Sequence, residues 1–490
     1  MKSYKGFKRK FVHDDLKVFE IAGDNIMNYY LAVDIGASSG RLILSWKEDG
    51  KIFLEEIHRF ENGMIKKNNH LVWDVDHLYK EILTGMKKCK NIGKIPVSMG
   101  VDTWAVDFVL LDENGGMLGD AVGYRDERTL NIDKYVYEII PEKELYLKTG
   151  IQKQSFNTIY QLMAIKKNDK ELLKHARCML MIPDYLHYLL TGRKATEYTN
   201  ASTTGLVDPD TKNWDMELID SLGYPTEIFQ EILLPGSSLG LLKQEVAEEV
   251  GFSCDVVVPA THDTGSAVMA VPSLSDETLY ISSGTWSLMG TELDHADCSL
   301  DSRNYNFTNE GGYDYRFRFL KNIMGMWMIN SAKKELAPEK SFGEICSLAA
   351  KESIASVVNA NDERFLAPDS MVNEVRKACE ESGQQIPEGM AQVASVIYNS
   401  LAECYAKTAI EIEEITGKHF ENIHIIGGGA NAAYLNELTA TASKKTVLAG
   451  PIEATAIGNI CAQMIAAKEL KDLKDARACV LRSFPIIRYE

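Results

Sequence analysis

The sequence predicts an α/β protein built twice on one plan, with a cleft between the two halves. Three observations carry this. Residues 29–61 read as three successive strands, broken first by a Gly/Ser turn and then by the hairpin signal Asp49-Gly50. The same strand, Ser/Gly/Thr turn, strand arrangement returns in "ETLYISSGTWSLMG", and "GGYDYRFRFL" alternates as a third strand would. In both halves strand–helix units follow the strand run, so the order is a meander joined to α/β units rather than strict βαβ alternation.

The elements follow in order. Residues 29–47 are strand, turn, strand, and "KIFLEEIHRF" is the third strand. Asp74 then caps a helical pattern with Leu78, Ile82, Leu83 and Met86 on one face. "PVSMGVD" and "AVDFVLLD" are further strands, the latter turning at Asn114-Gly115. Residues 130–250 are mostly helical, with "ATEYTNASTTGLVDPDTKNWD" as a polar loop between helices. The second half continues through a long helix at 389–416 to two strand–helix units, "ENIHIIGGGANAAYLNELTATA" and "KTVLAGPIEATAIGNICAQMIAAKEL". The expected division is an N-terminal extension over 1–28, a first domain over 29–270 and a second over 271–490. The extension is basic but has no apolar stretch of the signal-peptide kind, and Met27 is the expected natural start, with the preceding segment a loose leader.

Composition excludes several classes of function. With 53 Lys+Arg against 70 Asp+Glu, the net charge of -17 repels nucleic acid and anionic membrane. No apolar run is long enough to span a bilayer. Nine cysteines lie singly, without a C-x-x-C pair, which reads as reduced thiols in the cytoplasm. Nothing in the composition implies an obligate protein partner.

The first turn, Gly36-Ala37-Ser38-Ser39-Gly40, fits the G-x-S-x-G pattern of a hydrolase elbow. An elbow needs a helix after the turn, and Arg41-Leu-Ile-Leu-Ser-Trp46 reads as a strand, so a nucleophilic Ser38 is disfavoured. Small residues here can instead offer backbone N–H groups to phosphate oxygens. Asp34, at the strand end beside the turn, suits a hydrated Mg²⁺. Alone, the motif is equally a bare turn, but the second turn at 282–286 suggests two Gly/Ser/Thr hairpins gripping a polyphosphate. The glycines of "IGGGANAAYLNEL" suit close approach of an adenosine. In "VVVPATHDTGSAVMAV" a short strand ends at Thr261-His262-Asp263-Thr264 and a helix of small residues follows. There the helix dipole would keep Asp263 ionised, ready to accept a hydroxyl proton, although an acid in that place is more often a helix cap. Trp104, Asp102 and Asp107 in "GVDTWAVDF" are sugar-site candidates, although an indole there is more often simply core and the two acids share that reading. Asn322 is a polar group before an apolar helix.

These motifs, with "EIHRFENG", "YRDERT", "MIPDYLHYLLTG", "EYTNASTTGLVD" and "NIMGMWM", run in order from about Tyr30 to the C-terminus and resemble the FGGY carbohydrate kinases, in particular their rhamnulose-phosphorylating branch. The resemblance implies an actin/hexokinase-like ATPase fold with two RNase H-like domains flanking a cleft. It implies ATP and Mg²⁺ as cofactors, with L-rhamnulose phosphorylated on its 1-hydroxyl. Carried over residue by residue, Ala37, Ser38, Ser39, Gly40, Arg41, Thr285 and Gly428 would bind ATP. Ala105, His262, Asp263, Thr264 and Asn322 would bind the ketose, Asp263 would be the proton acceptor, and Asp34 would orient the metal. Ala105 stands where relatives carry Gly, so a backbone contact there survives in a tighter pocket. Asn330 falls where a relative uses Gln, and is left out of the site. The competing readings are another FGGY specificity, such as L-fuculose or L-xylulose, and a non-catalytic sugar or ATP sensor. The presence of both Asp34 and Asp263 argues for catalysis.

Overall fold

The computed structural model describes residues 27–275, 277–366 and 368–490; the expectations for the extension and for Met27 as the start fall almost wholly outside them. In lobe one, β1 (Tyr29–Ile35), β2 (Ser39–Glu48) and β3 (Lys51–Glu61) form the expected meander. Helix α1 (Val75–Asn91) starts where Asp74 accepts a hydrogen bond from the backbone of His77, and it buries Leu78, Ile82, Leu83 and Met86. Each such side chain contributes roughly 1.5–3 kcal/mol relative to leaving it in water. Strands β4 (Pro96–Thr103), β5 (Ser238–Leu241) and β6 (Asp255–Val257) complete a six-stranded sheet in the order β5-β6-β4-β1-β2-β3. Helix α2 (Asp263–Met269) follows. β1 and β4 are parallel and in register at Asp34 and Asp102, so two acidic side chains share one end of the sheet.

Lobe two repeats the plan. β7 (Leu279–Ser283) and β8 (Ser287–Leu293) form the second hairpin; β9 (Thr308–Gly311) and β10 (Phe317–Ile323) extend it. After α3 (Trp327–Leu336) and the 28-residue α4 (Gly389–Thr416) come β11 (Asn422–Ile426), α5 (Ala433–Ser443), β12 (Thr446–Ala449), α6 (Ala454–Ala466), α7 (Leu473–Ser483) and β13 (Ile487–Tyr489). The sheet order is β9-β10-β8-β7-β11-β12-β13. Thus β3-β2-β1-β4-β6 of lobe one corresponds to β10-β8-β7-β11-β12 of lobe two, three antiparallel strands and then two parallel ones. The duplication read from the two Gly/Ser turns is real in three dimensions.

The lobes are joined by their closing helices, α2 and α6. Ala267 and Val268 of α2 and Ile457 and Ile460 of α6 share one buried cluster with Tyr30 and Ala32 of lobe one and Tyr280 and Ile426 of lobe two. Small residues allow the close approach: a Cβ on Gly458 would lie 1.7 Å from the Ser266 carbonyl oxygen.

The "AVDFVLLD" stretch is a strand as expected, Phe108–Leu111, and it joins Met117–Leu118 and Cys178–Met181 in a separate three-stranded sheet. The chain is turned aside at Val106, a β-branched residue at φ 67°, where the Asp107 N–H donates to the Ala105 carbonyl. One local expectation needs correction: the polar stretch at 195–215, expected as a loop, contains buried helical turns. Tyr198–Ala201 is a buried helical turn continued by Ser202–Thr204. The buried Glu197 carboxylate accepts from the backbone and hydroxyls of Thr199 and Thr261, so these polar groups need no water.

Candidate active site

The Gly/Ser turn of each lobe, the start of α2 and the Gly427–Gly429 turn open onto one cavity of about 330 Å³ between the lobes. Of the residues singled out from sequence, Asp34, Ala37, Ser38, Arg41, Ala105, His262, Asp263, Thr264, Thr285, Asn322 and Gly428 line it; Ser39, Gly40 and Asn330 do not. Ser39 uses its carbonyl to accept the Gly36 N–H and close the turn. Gly40 is small for a packing reason, because a Cβ there would sit 2.1 Å from the Phe60 ring. The helix expected to be missing after Gly40 is indeed absent: β2 begins within the turn.

The Gly427–Gly429 turn leaves room at the cleft. A Cβ on Gly428 would meet nothing within 4 Å, whereas one on Gly429 would lie 1.9 Å from Ser283 Oγ. Gly429 therefore seats the turn against the Ser283 hairpin, and Gly428 leaves its flank open to the cleft.

On the acidic side, Asp34 accepts from Arg41 Nη2 at 2.7 Å, and Arg41 also pairs with Glu453, just before α6. Asp102 is fully buried: one oxygen accepts from Asn459 of α6 at 2.6 Å, the other has no hydrogen-bond partner. Burial, then the charges of Asp34 and Asp263, push the Asp102 carboxyl well above the usual carboxylate range. An excess of negative charge beside an unpartnered carboxylate oxygen fits a divalent cation that arrives with nucleotide and keeps most of its waters. Among the described residues no set of three such ligands forms a preassembled metal cage.

The α2 start brings His262, Asp263 and Thr264 together at the cavity. His262 is the N-cap residue, with no side-chain cap bond, and Asp263 is the first helical residue. Asp263 Oδ1 accepts from the Thr264 N–H at 2.6 Å and lies 3.5 Å from His262 Nε2. A third of the Asp263 side chain opens to the cleft, yet protein encloses it enough that burial raises its pKa, against the lowering by His262 and Thr264. Desolvation makes this carboxylate more basic, which suits a proton acceptor.

The wall near Ala105 is aromatic. Trp73 and Trp104 lie 3.9 Å apart between ring centroids, and both indoles donate to Asp107 Oδ2. Asp107 is therefore a buried orienting group rather than a sugar ligand; burial raises its pKa to about 6. Opposite, Asn322 of β10 donates its amide to Gln152 at 2.9 Å, so its carbonyl oxygen is the group left to meet a ligand. Sequence reasoning missed Gln152, Glu197, Glu310 and Arg318, which support these residues, because none lies in a pattern that separates it from ordinary surface polarity.

Comparison with known proteins decides the family. The model of the FGGY family of carbohydrate kinases, N-terminal domain, matches residues 29–270, and that of the C-terminal domain matches 279–467. The chain belongs to the FGGY family of carbohydrate kinases. This FGGY kinase is 54% identical over 463 residues to a rhamnulokinase of Halalkalibacterium halodurans, covering 94% of this chain and 99% of the relative. It is 47% identical over 462 residues to the rhamnulokinase of Bacillus subtilis, covering 93% and 94%. Among solved structures, a ligand-bound xylulose kinase from Lactobacillus acidophilus superposes with TM-score 0.79 at 16% identity over 94% of this chain and 93% of that one. A Plasmodium falciparum glycerol kinase with ADP gives TM-score 0.73 at 14% identity, covering 95% and 94%. At such identities these structures speak for the fold alone. The two-lobed α/β architecture is that of the sugar kinases of this family, as the resemblance implied.

Proposed function

We propose that this FGGY kinase transfers the γ-phosphoryl group of ATP to the 1-hydroxyl of L-rhamnulose, giving L-rhamnulose 1-phosphate in L-rhamnose catabolism. The observation that carries this is the placement of Asp263 in the one cavity that the Gly/Ser turns of both lobes also face, in a chain about half identical to rhamnulokinases. The reading requires no obligate protein partner, and we assign the enzyme to the cytoplasm. Among the described residues no helix is long and apolar enough to cross a membrane.

Asp263 takes the proton of the sugar 1-hydroxyl while that oxygen attacks the γ-phosphorus and ADP leaves. The ketose is held by His262, Thr264, Asn322 and the Ala105 backbone. Strain at Val106 is sustained by Thr158 and Gln161, which both donate to its carbonyl, so the Ala105 turn is fixed before substrate arrives. Ala37, Ser38, Arg41, Thr285 and Gly428 receive the nucleotide; Ser39 and Gly40 act through turn closure and packing. Asp34, with Asp102 behind it, would hold Mg²⁺, which when bound neutralises charge on the phosphoryl oxygens. Enclosure between the lobes keeps water from competing for the phosphoryl group.

The test is ADP release measured over L-rhamnulose, L-fuculose, L-xylulose, L-ribulose and glycerol, with wild type and Asp263→Asn. We expect L-rhamnulose to give the highest kcat/KM, and Asp263→Asn to lose at least about 10²-fold in kcat while still binding sugar. A faster rate on another ketose overturns the specificity; near-normal turnover by Asp263→Asn overturns the base.

A further inference from the structure

Lobe two reaches the α2 start of lobe one with two side chains that touch neither turn. Glu310 and Arg318 are directly opposed on the antiparallel strands β9 and β10. Arg318 is wholly buried, donates from Nε to the Gly311 carbonyl at 2.8 Å, and places Nη2 3.2 Å from Glu310 Oε2. The same Nη2 lies 3.1 Å from His262 Nδ1 in hydrogen-bonding geometry. Glu310 Oε2 is 3.3 Å from that nitrogen without a hydrogen bond to it.

A guanidinium does not deprotonate in proteins and carries no acceptor, so its hydrogen bond to Nδ1 requires the lone pair there. In a neutral imidazole the proton then resides on Nε2, the nitrogen facing Asp263. We propose that Arg318, held by Glu310, is a positioning residue that fixes His262 as the Nε2–H tautomer, so that the ring donates toward Asp263 Oδ1. Three contacts then fall on Oδ1: the Thr264 N–H, the Thr264 hydroxyl at 3.2 Å, and His262 Nε2. They fix the plane of the carboxylate and leave Oδ2 as the atom that accepts the substrate proton. Without Arg318, Glu310 would be the only charged group on Nδ1; it would draw the proton there and turn a lone pair toward Asp263. Burial opposes ionisation of Glu310, but the charge of Arg318 leads the effects that hold its carboxyl below the usual range, consistent with an anion bound to Arg318.

The catalytic consequence rests on Asp263 as the proton acceptor; the tautomer itself does not. The experiment is long-range ¹H–¹⁵N NMR on protein labelled at its 10 histidines, with the His262 signals assigned by their loss in His262→Gln. Wild type is expected to show an unprotonated Nδ1 and a protonated Nε2. Arg318→Met is expected to move the proton to Nδ1 and to lower kcat by about 10²-fold, the effect of misorienting a reacting group, with KM for ATP changed less than about twofold. Arg318→Lys keeps a donor and should restore the tautomer and part of kcat. Glu310→Gln should leave Nε2 protonated, because Arg318 still donates to Nδ1. A wild-type spectrum with Nδ1 protonated overturns the proposal, as does a switch of tautomer in Glu310→Gln, or an Arg318→Met protein that keeps both tautomer and kcat. These spectra decide the matter even if Arg318→Met fails to fold or Asp263→Asn proves active.

Discussion

The crossing of α2 and α6 predicts that the smallest substitution in the protein, Gly458→Ala, will damage catalysis from the rear of the site. The added Cβ would fall 1.7 Å from the Ser266 oxygen and 2.5 Å from its carbonyl carbon, both main-chain atoms that cannot rotate away. An ordinary carbon–oxygen contact is about 3.3 Å, so the helices must part by roughly 1.5 Å. Ser266 stands one turn from Asp263 on the short α2, so the movement is carried to the proton acceptor. Overpacking of this kind costs about 1–3 kcal/mol, and the upper end applies where backbone is struck. For a chain of 490 residues, about 1 °C per kcal/mol, the melting temperature should fall by about 3 °C. Misplacing the base by about 1 Å should lower kcat on the order of 10²-fold. ADP release and a thermal scan measure both. Gly343→Ala is the control: it lies on the helix Phe342–Ala349, its Cβ would meet nothing within 4 Å, and removing a helical glycine should raise stability by roughly 0.4–1 kcal/mol. Wild-type kcat and melting temperature in Gly458→Ala would show that the helix crossing does not position Asp263.

Ser38→Ala should keep kcat within about tenfold, because the turn offers backbone N–H groups; loss of an ester-hydrolysing activity in this variant would instead restore the nucleophile reading. Asp107 is raised by burial to about 6, so the stability of its protonated form is present below about pH 4 and lost as pH rises through about 6. Urea unfolding of wild type and Asp107→Asn should show their difference shifting in favour of the variant from pH 4 to 6 and levelling above 7; a pH-independent difference would contradict this assignment. Seven of the nine cysteines are buried and none is bridged, while burial pushes the thiols of the half-exposed Cys298 and Cys404 up to about 11. Thiol titration of the native enzyme at pH 8 should therefore be slow at every cysteine and reach nine equivalents only in denaturant.

The parts of the molecule legible in sequence are those whose signal is local. Strand after Gly40 rather than helix spoke against the hydrolase elbow, and its echo at 282–286 exposed the duplication, since both rest on residues a few positions apart. What sequence could not separate was glycine that admits a ligand from glycine that admits a neighbour. Gly428 and Gly429 are adjacent and chemically identical, yet one faces the cleft and the other Ser283; Gly40 belongs with the second kind, against Phe60. Charged residues deceived in the same way. Arg318 alternates with aromatics as a solvent-facing arginine would, and is buried only because Glu310 lies opposite it on a strand paired through tertiary folding. The Asp34–Asp102 pair was hidden for the same reason: 68 residues of sequence separate side chains that the β1–β4 register makes neighbours.

The way the lobes are joined explains why both halves of the duplicated fold are needed for one reaction. Helix α6 belongs to lobe two by sequence but is tied to the strands of lobe one: Asn459 donates to Asp102, and Gln463 donates to the Leu31 carbonyl and accepts from Ser98. Helix α2 in turn carries Asp263, the proposed base. Asp34, Asp102 and Asp263 are thereby gathered at the crossing. Lobe two closes on the same place: Asn322 donates to Gln152 of lobe one, and Arg318 of the same strand reaches His262. The contact at Gly458 holds the two helices close at that crossing, so neither lobe alone carries the complete set of side chains around Asp263.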